Sequence, residues 1–118
     1  MLHTPKEKLV LSTRDFYHLI EIENIIYCKS DNSYTTFYLN GGEEIKVSVS
    51  MKNVEQKLDS STFIRPHQSY LVNIHHIKSI QKSSGGDLLL DNGKTITVST
   101  RKKSEILHLL GDIKRIQV

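Results

Sequence analysis

Short segments in which apolar and polar residues alternate recur along the chain, separated by turn signals about every 8 to 12 residues. This spacing is typical of an all-β domain. The tripeptides Asn-Gly-Gly at 40–42 and Asp-Asn-Gly at 91–93 tolerate positive φ, so each predicts the tip of a hairpin. We predict strands over residues 9–12, 16–21, 25–29, 34–39, 44–49, 63–72, 77–82, 88–90 and 95–99.

Two segments depart from the period of two and predict helices. In residues 51–58 the apolar positions fall on one helix face, and Ser50 can cap the first turn. A second helix is predicted over residues 101–110, with Ser99 or Thr100 as its N-cap. Each helix must bury its apolar face on a sheet, so the expected fold is mainly β with two short helices.

The size of the chain, 118 residues, predicts one domain. We expect residues 8–118 to form this domain and residues 1–7 to be a leader or the stub of a linker from a longer protein. The longest apolar runs are only a few residues, and no secretory signal pattern opens the chain. We therefore expect a cytoplasmic protein with no membrane segment.

Cysteine and histidine give little support for a metal centre, a cofactor or catalysis. Cys28 is the only cysteine, which excludes an internal disulfide and a multi-cysteine zinc site. It is either a buried, inert thiol or a redox sensor. Adjacent residues on a strand point to opposite faces, so His75 and His76 are poor candidates to share a metal. We find no catalytic arrangement and predict no enzyme activity, cofactor or metal.

Charge is unevenly distributed along a chain whose formal net charge is +3. Residues 1–64 hold seven Lys or Arg against nine Asp or Glu, a net −2. Residues 65–118 hold nine against four, a net +5. Such asymmetry fits a polyanionic partner, although it is also common on proteins that bind no polyanion.

Three cations, Arg101, Lys102 and Lys103, open the second predicted helix, where the helix dipole favours anions. A phosphate docked there would meet free backbone N–H groups and all three side chains. The alternative is a solvated run of charge. Arg101 differs from the lysines because its planar fork can bind O6 and N7 of guanine together.

Polar recognition residues also occur inside a strand-like run, FIRPHQSYLVN at 63–73. Alternation predicts that Arg65 and His67 share one face, where they could pair with carboxylates or carbonyls. The Gln68 amide can bind adenine or phosphate, or lie on the surface without a partner. The polar segment DNSY at 31–34 can contact DNA, or simply form an Asx turn before a strand.

The run at 63–73 resembles the signature of the LytTR family, DNA-binding output domains of bacterial transcriptional regulators. In that signature Phe, Arg, His, Ser, an aromatic residue, Val and Asn follow one another at fixed spacing, with an Ile a few residues later. Ile77 and Ile80 continue the pattern. The order of the surrounding segments is also similar, so the resemblance covers about residues 8–113.

This resemblance implies an elongated, multi-sheet β fold whose loops, rather than a recognition helix, enter successive major grooves of double-stranded DNA. It also implies paired direct repeats as the target, a second protomer on the DNA, and an N-terminal receiver domain in a full-length two-component response regulator. The implied site residues, matched by position, are Tyr34, Gln68 and Arg101 for bases, Ser33, Lys102 and Lys103 for phosphates, and Arg65 and His67 as backbone contacts or scaffold.

A rival interpretation from another class is a β-rich protein-interaction module without DNA binding. In that interpretation Tyr34, Phe37 and Tyr38 would form an adhesive patch. The chain has only eight aromatic Phe and Tyr residues and no Trp, which also argues against a stacking surface for single-stranded nucleic acid.

Overall fold

The computed structural model of the chain describes residues 6–82 and 85–117. Most of the predicted leader, residues 1–7, lies outside these ranges. Within them the chain forms ten strands in three antiparallel sheets, with two α-helices and three short 3-10 turns. The prediction of a mainly β, multi-sheet fold with two short helices is confirmed. No helix in the described residues is long and apolar enough to cross a membrane.

The elements follow one another in the predicted order, with one exception at residues 63–72. The strands are β1 (Lys8–Ser12), β2 (Tyr17–Glu21), β3 (Ile25–Asp31), β4 (Tyr34–Leu39), β5 (Glu44–Val47), β6 (Phe63–His67), β7 (Tyr70–Asn73), β8 (Ile77–Ile80), β9 (Leu88–Leu90) and β10 (Thr95–Ile96). The helices are α1 (Met51–Lys57) and α2 (Lys103–Gly111), and the 3-10 turns are Ile22–Asn24, Ile74–His76 and Thr100–Lys102.

The prediction of one long strand over residues 63–72 is wrong. β6 and β7 pair antiparallel with His67 opposite Tyr70, so Gln68 and Ser69 form a hairpin turn. Side chains close this turn: the Ser69 N–H donates to Nδ1 of His67 (3.1 Å), and Nη2 of Arg65 donates to the Gln68 carbonyl (2.7 Å). Gln68 therefore lies at a tip instead of inside a strand.

The central sheet has five strands in the order β5-β4-β3-β7-β6, and it separates two apolar cores. Alternation sends Cys28 and Phe37 to a first core, which also contains buried residues of α1 and of the β1–β2 hairpin. Tyr27 and Val72 face a second core, which the sheet β10-β9-β8 and Ile106 of α2 complete. Each face of the central sheet is thus partly covered by a different layer.

Glycines in the left-handed region make two of the predicted hairpin tips. Gly41 and Gly42, with φ of 90° and 92°, connect β4 to β5. Gly93, with φ of 89°, connects β9 to β10. Both hairpins predicted from the Asn-Gly-Gly and Asp-Asn-Gly tripeptides are therefore confirmed.

The two helices differ in how they begin. In α1 the Ser50 hydroxyl accepts a hydrogen bond from the Asn53 N–H (3.4 Å), which confirms the predicted N-cap. The second helical segment starts with the 3-10 turn, and Ser99 before it makes no side-chain cap hydrogen bond. Lys102 occupies the N-cap position of α2 itself, so a Ser99 or Thr100 cap for this helix is not observed.

A buried asparagine of the signature fixes the far end of the central sheet. The Asn73 amide donates to the Ile25 carbonyl (2.9 Å), and its side-chain oxygen accepts from the His75 N–H (3.0 Å). Asn73 is completely buried, so both hydrogen bonds offset its loss of hydration. This contact joins the end of β7 to the beginning of β3. It therefore helps to fix the register of the two strands, and with it the positions of the turns at their other ends.

Candidate nucleic-acid interface

Two polar turns lie at the same end of the central sheet because β3 runs antiparallel to both of its neighbours. Asp31 pairs with Tyr34 across the β3–β4 turn, and Lys29 pairs with Tyr70 at the start of β7. The Ser30 N–H donates to the Ser69 carbonyl at 2.9 Å. A main-chain hydrogen bond therefore ties the β3–β4 turn to the β6–β7 turn.

A third segment reaches this region from the C-terminal part of the chain. The Ser99 N–H donates to the Pro66 carbonyl at 2.8 Å, which places the 3-10 turn of residues 100–102 beside β6. Arg101 lies in this turn and is exposed. The three residues predicted to contact bases, Tyr34, Gln68 and Arg101, thus lie on three segments that main-chain hydrogen bonds connect, and all three are exposed.

The β3–β4 turn is built around Asn32, whose φ of 57° lies in the left-handed region that Asn tolerates better than most residues. Ser33 next to it is exposed. The Tyr34 side chain is 44% exposed and has the Lys46 ammonium 4.9 Å from its ring centroid. The same ammonium lies 3.8 Å from Oδ2 of Asp31.

Lys46 was not among the residues predicted from the sequence. Its position depends on the register of β4 and β5, which pairs it with Thr36. The sequence did contain a signal for the position of Lys46. The Asn-Gly-Gly turn and the alternation of the 44–49 strand together fix the register of β4 and β5. A cation beside an aromatic ring at a turn gains about 0.5–1 kcal/mol when exposed, so Lys46 helps to hold Tyr34 in place.

Arg65 makes structural contacts with both α1 and the β6–β7 turn. Its Nη1 lies 3.0 Å from Oε1 of Glu55, and its Nη2 donates to the Gln68 carbonyl at 2.7 Å. Its Nε is buried without a partner among the described atoms. The guanidinium therefore joins the helix to the turn that carries Gln68.

His67 does not share a face with Arg65, contrary to the expectation from alternation. The pairing of β6 with β7 shifts register between Ile64 and His67. Arg65 consequently points to the layer of α1, whereas the His67 ring packs edge-on against Tyr70 on the opposite face, with centroids 5.9 Å apart. Because Nδ1 of His67 accepts from the Ser69 N–H, its lone pair is required to close the turn.

The three cations at the start of the second helical segment differ in their exposure and in their ion-pair partners. Nζ of Lys102 lies 3.4 Å from Oε1 of Glu105, one turn along α2, and this side chain is half-buried. Arg101 and Lys103 are exposed. One of the three cations is thus already balanced by an intrahelical pair. Arg101 faces solvent in the 3-10 turn beside β6, whereas Lys103 is exposed beside the end of β8.

Cys28 and His76, which the sequence offered for redox or metal chemistry, have structural roles in the fold. Cys28 is completely buried, and burial raises the pKa of its thiol well above the ordinary range, so it is poorly suited to redox sensing. The His76 ring lies between the Asp91 carboxylate (3.0 Å) and the Glu23 carbonyl (2.7 Å). Its two ring nitrogens thus contact the residue after β9 and the 3-10 turn before β3, so this histidine joins three segments of the chain.

The adhesive patch proposed in the rival interpretation is not formed. Phe37 is only 1% exposed in the first core. Tyr38 is half-buried and stacks on Tyr27 with ring centroids 4.3 Å apart, and burial raises the pKa of Tyr27 to about 12. Of the three aromatic residues in that patch, only Tyr34 is exposed.

Several known bacterial proteins have a similar sequence. The Bacillus subtilis sensory transduction protein LytT is 32% identical over 113 residues, which are 92% of this chain and 45% of that protein. The Rhodospirillum rubrum CO-responsive transcriptional regulator RcoM is 28% identical over 73% of this chain and 36% of its own length. The Staphylococcus aureus transcriptional regulatory protein LytR is 29% identical over 64% and 30%. The chain therefore spans less than half the length of these relatives.

A solved structure has the same fold over nearly the whole chain. It is the LytTr DNA-binding domain of a putative methyl-accepting/DNA response regulator from Bacillus cereus, with a TM-score of 0.77 and 28% sequence identity. The match covers 91% of this chain and 99% of that one. The family model of the LytTr DNA-binding domain matches residues 15–111. The chain therefore belongs to the LytTr DNA-binding domain family, which consists of regulator domains and not of enzymes.

Proposed function

We propose that the chain is a sequence-specific, double-stranded DNA-binding output domain of a bacterial transcriptional regulator, acting in the cytoplasm. One observation supports this most directly. Main-chain hydrogen bonds from Ser30 to Ser69 and from Ser99 to Pro66 hold three exposed polar segments at one end of the fold. Segments held in this way are already ordered, so they can enter a groove without losing further conformational entropy.

In this proposal the tips of the three segments contact bases in the major groove. Arg101 presents a planar fork that fits O6 and N7 of guanine. The Gln68 amide donates to and accepts from a base edge at the tip of the β6–β7 turn. The Tyr34 hydroxyl offers a single donor and acceptor, so the β3–β4 turn discriminates between bases less sharply than the other two.

The phosphate contacts lie beside these tips. Ser33 in the β3–β4 turn offers a hydroxyl and a backbone N–H, while Lys102 and Lys103 offer ammonium groups next to Arg101. Binding a phosphate with Lys102 requires its ammonium to leave or share Glu105, which lies 3.4 Å away. The exposed Lys103 is therefore the stronger phosphate contact of the two lysines.

The relatives suggest the setting in which this domain works. We propose an N-terminal receiver domain in the full-length protein, paired direct repeats as the target, and a second protomer on the second repeat. The names of the similar proteins, a sensory transduction protein and transcriptional regulators, support a role in signal-dependent transcription. The domain of residues 8–118 would be the part that binds DNA.

Selection of bound duplexes from a random pool tests this function and identifies the site. Fluorescence anisotropy then compares the selected duplex with a scrambled duplex, a single strand and RNA. If about four to six phosphates are neutralised, log K falls against log salt with a slope of roughly −4 to −5. Enrichment of no sequence, together with a flat salt response, would exclude specific DNA binding.

Two arginine variants separate base recognition from charge. Arg101→Ala should weaken binding by about 1–3 kcal/mol and relax the preference at one base pair. Arg14→Ala removes the same charge from an exposed position outside the three segments, and it should leave that preference unchanged. An equal loss on every duplex with Arg101→Ala would make Arg101 a phosphate contact instead.

A further inference from the structure

A row of side chains crosses the central sheet on the face opposite α1, next to the turns. Strand pairing aligns Lys46 with Thr36, Thr36 with Lys29, Lys29 with Tyr70, and Tyr70 with His67. With strands about 4.8 Å apart, Lys46 and Lys29 are separated by about 10 Å and the whole row spans about 19 Å.

The two lysines of the row lie outside the second core on the same face, whereas Tyr70 packs against that core. Tyr27 and Val72, two residues further from the turns, are buried beneath the sheet β10-β9-β8. Lys29 and Lys46 are exposed. The row therefore lies on the strip of sheet that remains open between the covering sheet and the two recognition turns.

Lys94 adds a third ammonium from the covering sheet. It lies in the β9–β10 turn, and its Nζ is 5.7 Å from the centroid of the Tyr70 ring. The Tyr70 ring thus has His67 on one side and Lys94 on another. Lys29, Lys46 and Lys94, which we call the lysine row, border the same strip.

Acidic groups only partly balance these cations. The Lys46 ammonium is 3.8 Å from the Asp31 carboxylate, which is itself largely exposed. Glu44 follows one pleat away on β5. Among residues 6–82 and 85–117, no carboxylate lies within 4.0 Å of the ammonium of Lys29 or Lys94. A strip with this charge fits an anionic partner.

We propose that the lysine row is a second phosphate-binding surface, which contacts the DNA sugar-phosphate backbone beside the bases that the turns contact. This proposal rests on the proposed function, since it requires a duplex held by the turns at the same end of the fold. Lys46 and Tyr70, beside whose ring Lys94 lies, are three strand spacings or about 14 Å apart. This distance follows the axial rise of about four nucleotides of one strand, enough for three phosphate contacts. The row contributes affinity that does not depend on base sequence.

The experiment compares three triple variants by anisotropy on the selected duplex and on a scrambled one. Replacing Lys29, Lys46 and Lys94 with Gln should reduce the magnitude of the salt slope by about 2.7, because each phosphate contact contributes about 0.9. The drop in affinity between about 50 and 200 mM salt should then be about 40-fold smaller than for the parent protein. The ratio of specific to scrambled affinity should fall by no more than about 5-fold, because the Lys46 cation beside the Tyr34 ring is worth only about 0.5–1 kcal/mol.

One control makes the same charge change at other positions, and the other control changes the same positions without changing the charge. Gln at Lys8, Lys57 and Lys78, exposed lysines outside the row, should leave the salt slope within one contact of the parent value. Arg at the three row positions should restore the parent slope, because it keeps the charge. Circular dichroism and urea unfolding establish that every variant is folded.

Each remaining outcome counts against the row in a distinct way. Equal slopes for the row and control variants would show that net charge alone acts. A specificity ratio that fell by much more than about 5-fold would show that the row contacts bases instead of phosphates. If the parent protein bound no duplex, the proposed function itself would be excluded. If the parent bound normally and the Gln variant of the row had the same salt slope as the parent, the row alone would be excluded.

Discussion

Arg65→Met tests whether base recognition at Gln68 depends on a side chain that does not itself contact DNA. The substitution removes the 3.0 Å contact with Glu55 and the 2.7 Å hydrogen bond to the Gln68 carbonyl, while it keeps a flexible apolar stem of similar length. In the parent protein these two contacts fix the β6–β7 turn to α1.

The structure sets the size of the expected effect on stability. A hydrogen bond donated by a charged group is worth about 1.5–3 kcal/mol. The ion pair adds little, about 0–1 kcal/mol, because the Glu55 side chain is 43% exposed and solvent screens it. Removing the buried, unpartnered Nε offsets part of the loss. We expect Arg65→Met to lower the free energy of unfolding by about 1–2 kcal/mol.

The effect on binding follows from the freed turn. Ordering the backbone of one turn residue during binding costs about 1–2 kcal/mol, which corresponds to about a 5- to 30-fold loss of affinity for the selected duplex. Affinity for a scrambled duplex should change much less, because the phosphate contacts are retained. Urea unfolding and anisotropy measure the two quantities separately.

Glu55→Gln is the matched control, since it removes the ion pair and leaves the bond between Arg65 and the Gln68 carbonyl. It should change stability by no more than about 0.5 kcal/mol and leave specific affinity intact. Unchanged specific affinity in Arg65→Met would refute the positioning role. Equal losses in both variants would assign the effect to the contact with α1 instead of the turn.

Three further predictions concern the cores and the buried polar groups. Burial raises the pKa of the Cys28 thiol, so iodoacetamide at about pH 8 should label it rapidly only in concentrated urea, and fast labelling of the native protein would contradict this. Asn73→Leu leaves the buried Ile25 carbonyl without its donor and should cost about 1–3 kcal/mol in urea unfolding; no loss would mean that the carbonyl finds another donor. Phe37→Ala should cost about 3–5 kcal/mol by the same measurement, against no more than about 0.5 kcal/mol for Phe16→Ala, which is 66% exposed; similar losses would contradict the burial.

Elements that depend on local chemistry could be predicted from the sequence. The Ser50 cap of α1 and the glycine-containing hairpin tips at 40–42 and 91–93 are specified by residues within a few positions of each other. The β6–β7 turn lacks such a signal, because Gln68 and Ser69 are neither glycine, proline, asparagine nor aspartate. Hydrogen bonds involving the side chains of Arg65 and His67 close this turn. Because no residue marks the turn in the sequence, the alternation of residues 63–72 predicted a single strand.

The rest of the candidate interface could not be predicted without knowing the register of the paired strands. The shift between Ile64 and His67 breaks the alternation that would have placed Arg65 and His67 on one face. Lys29 and Lys46 are 17 positions apart in the chain and become neighbours of Thr36 only through two strand pairings. Sequence spacing alone does not reveal such a row, whereas the family signature indicated the fold on which it is formed.

The hydrogen bonds that join the three exposed segments at residues 31–34, 67–70 and 99–102 have an evolutionary consequence. Both the Ser30 to Ser69 and the Ser99 to Pro66 bonds run between main-chain atoms, so they do not depend on which side chains the tips carry. Residues 34, 68 and 101 lie outside both cores and can be replaced with little change in stability. If the tips contact bases as proposed, descendants of one ancestral domain can diverge towards different DNA sites by substitution at the tips, while the main-chain frame is inherited unchanged.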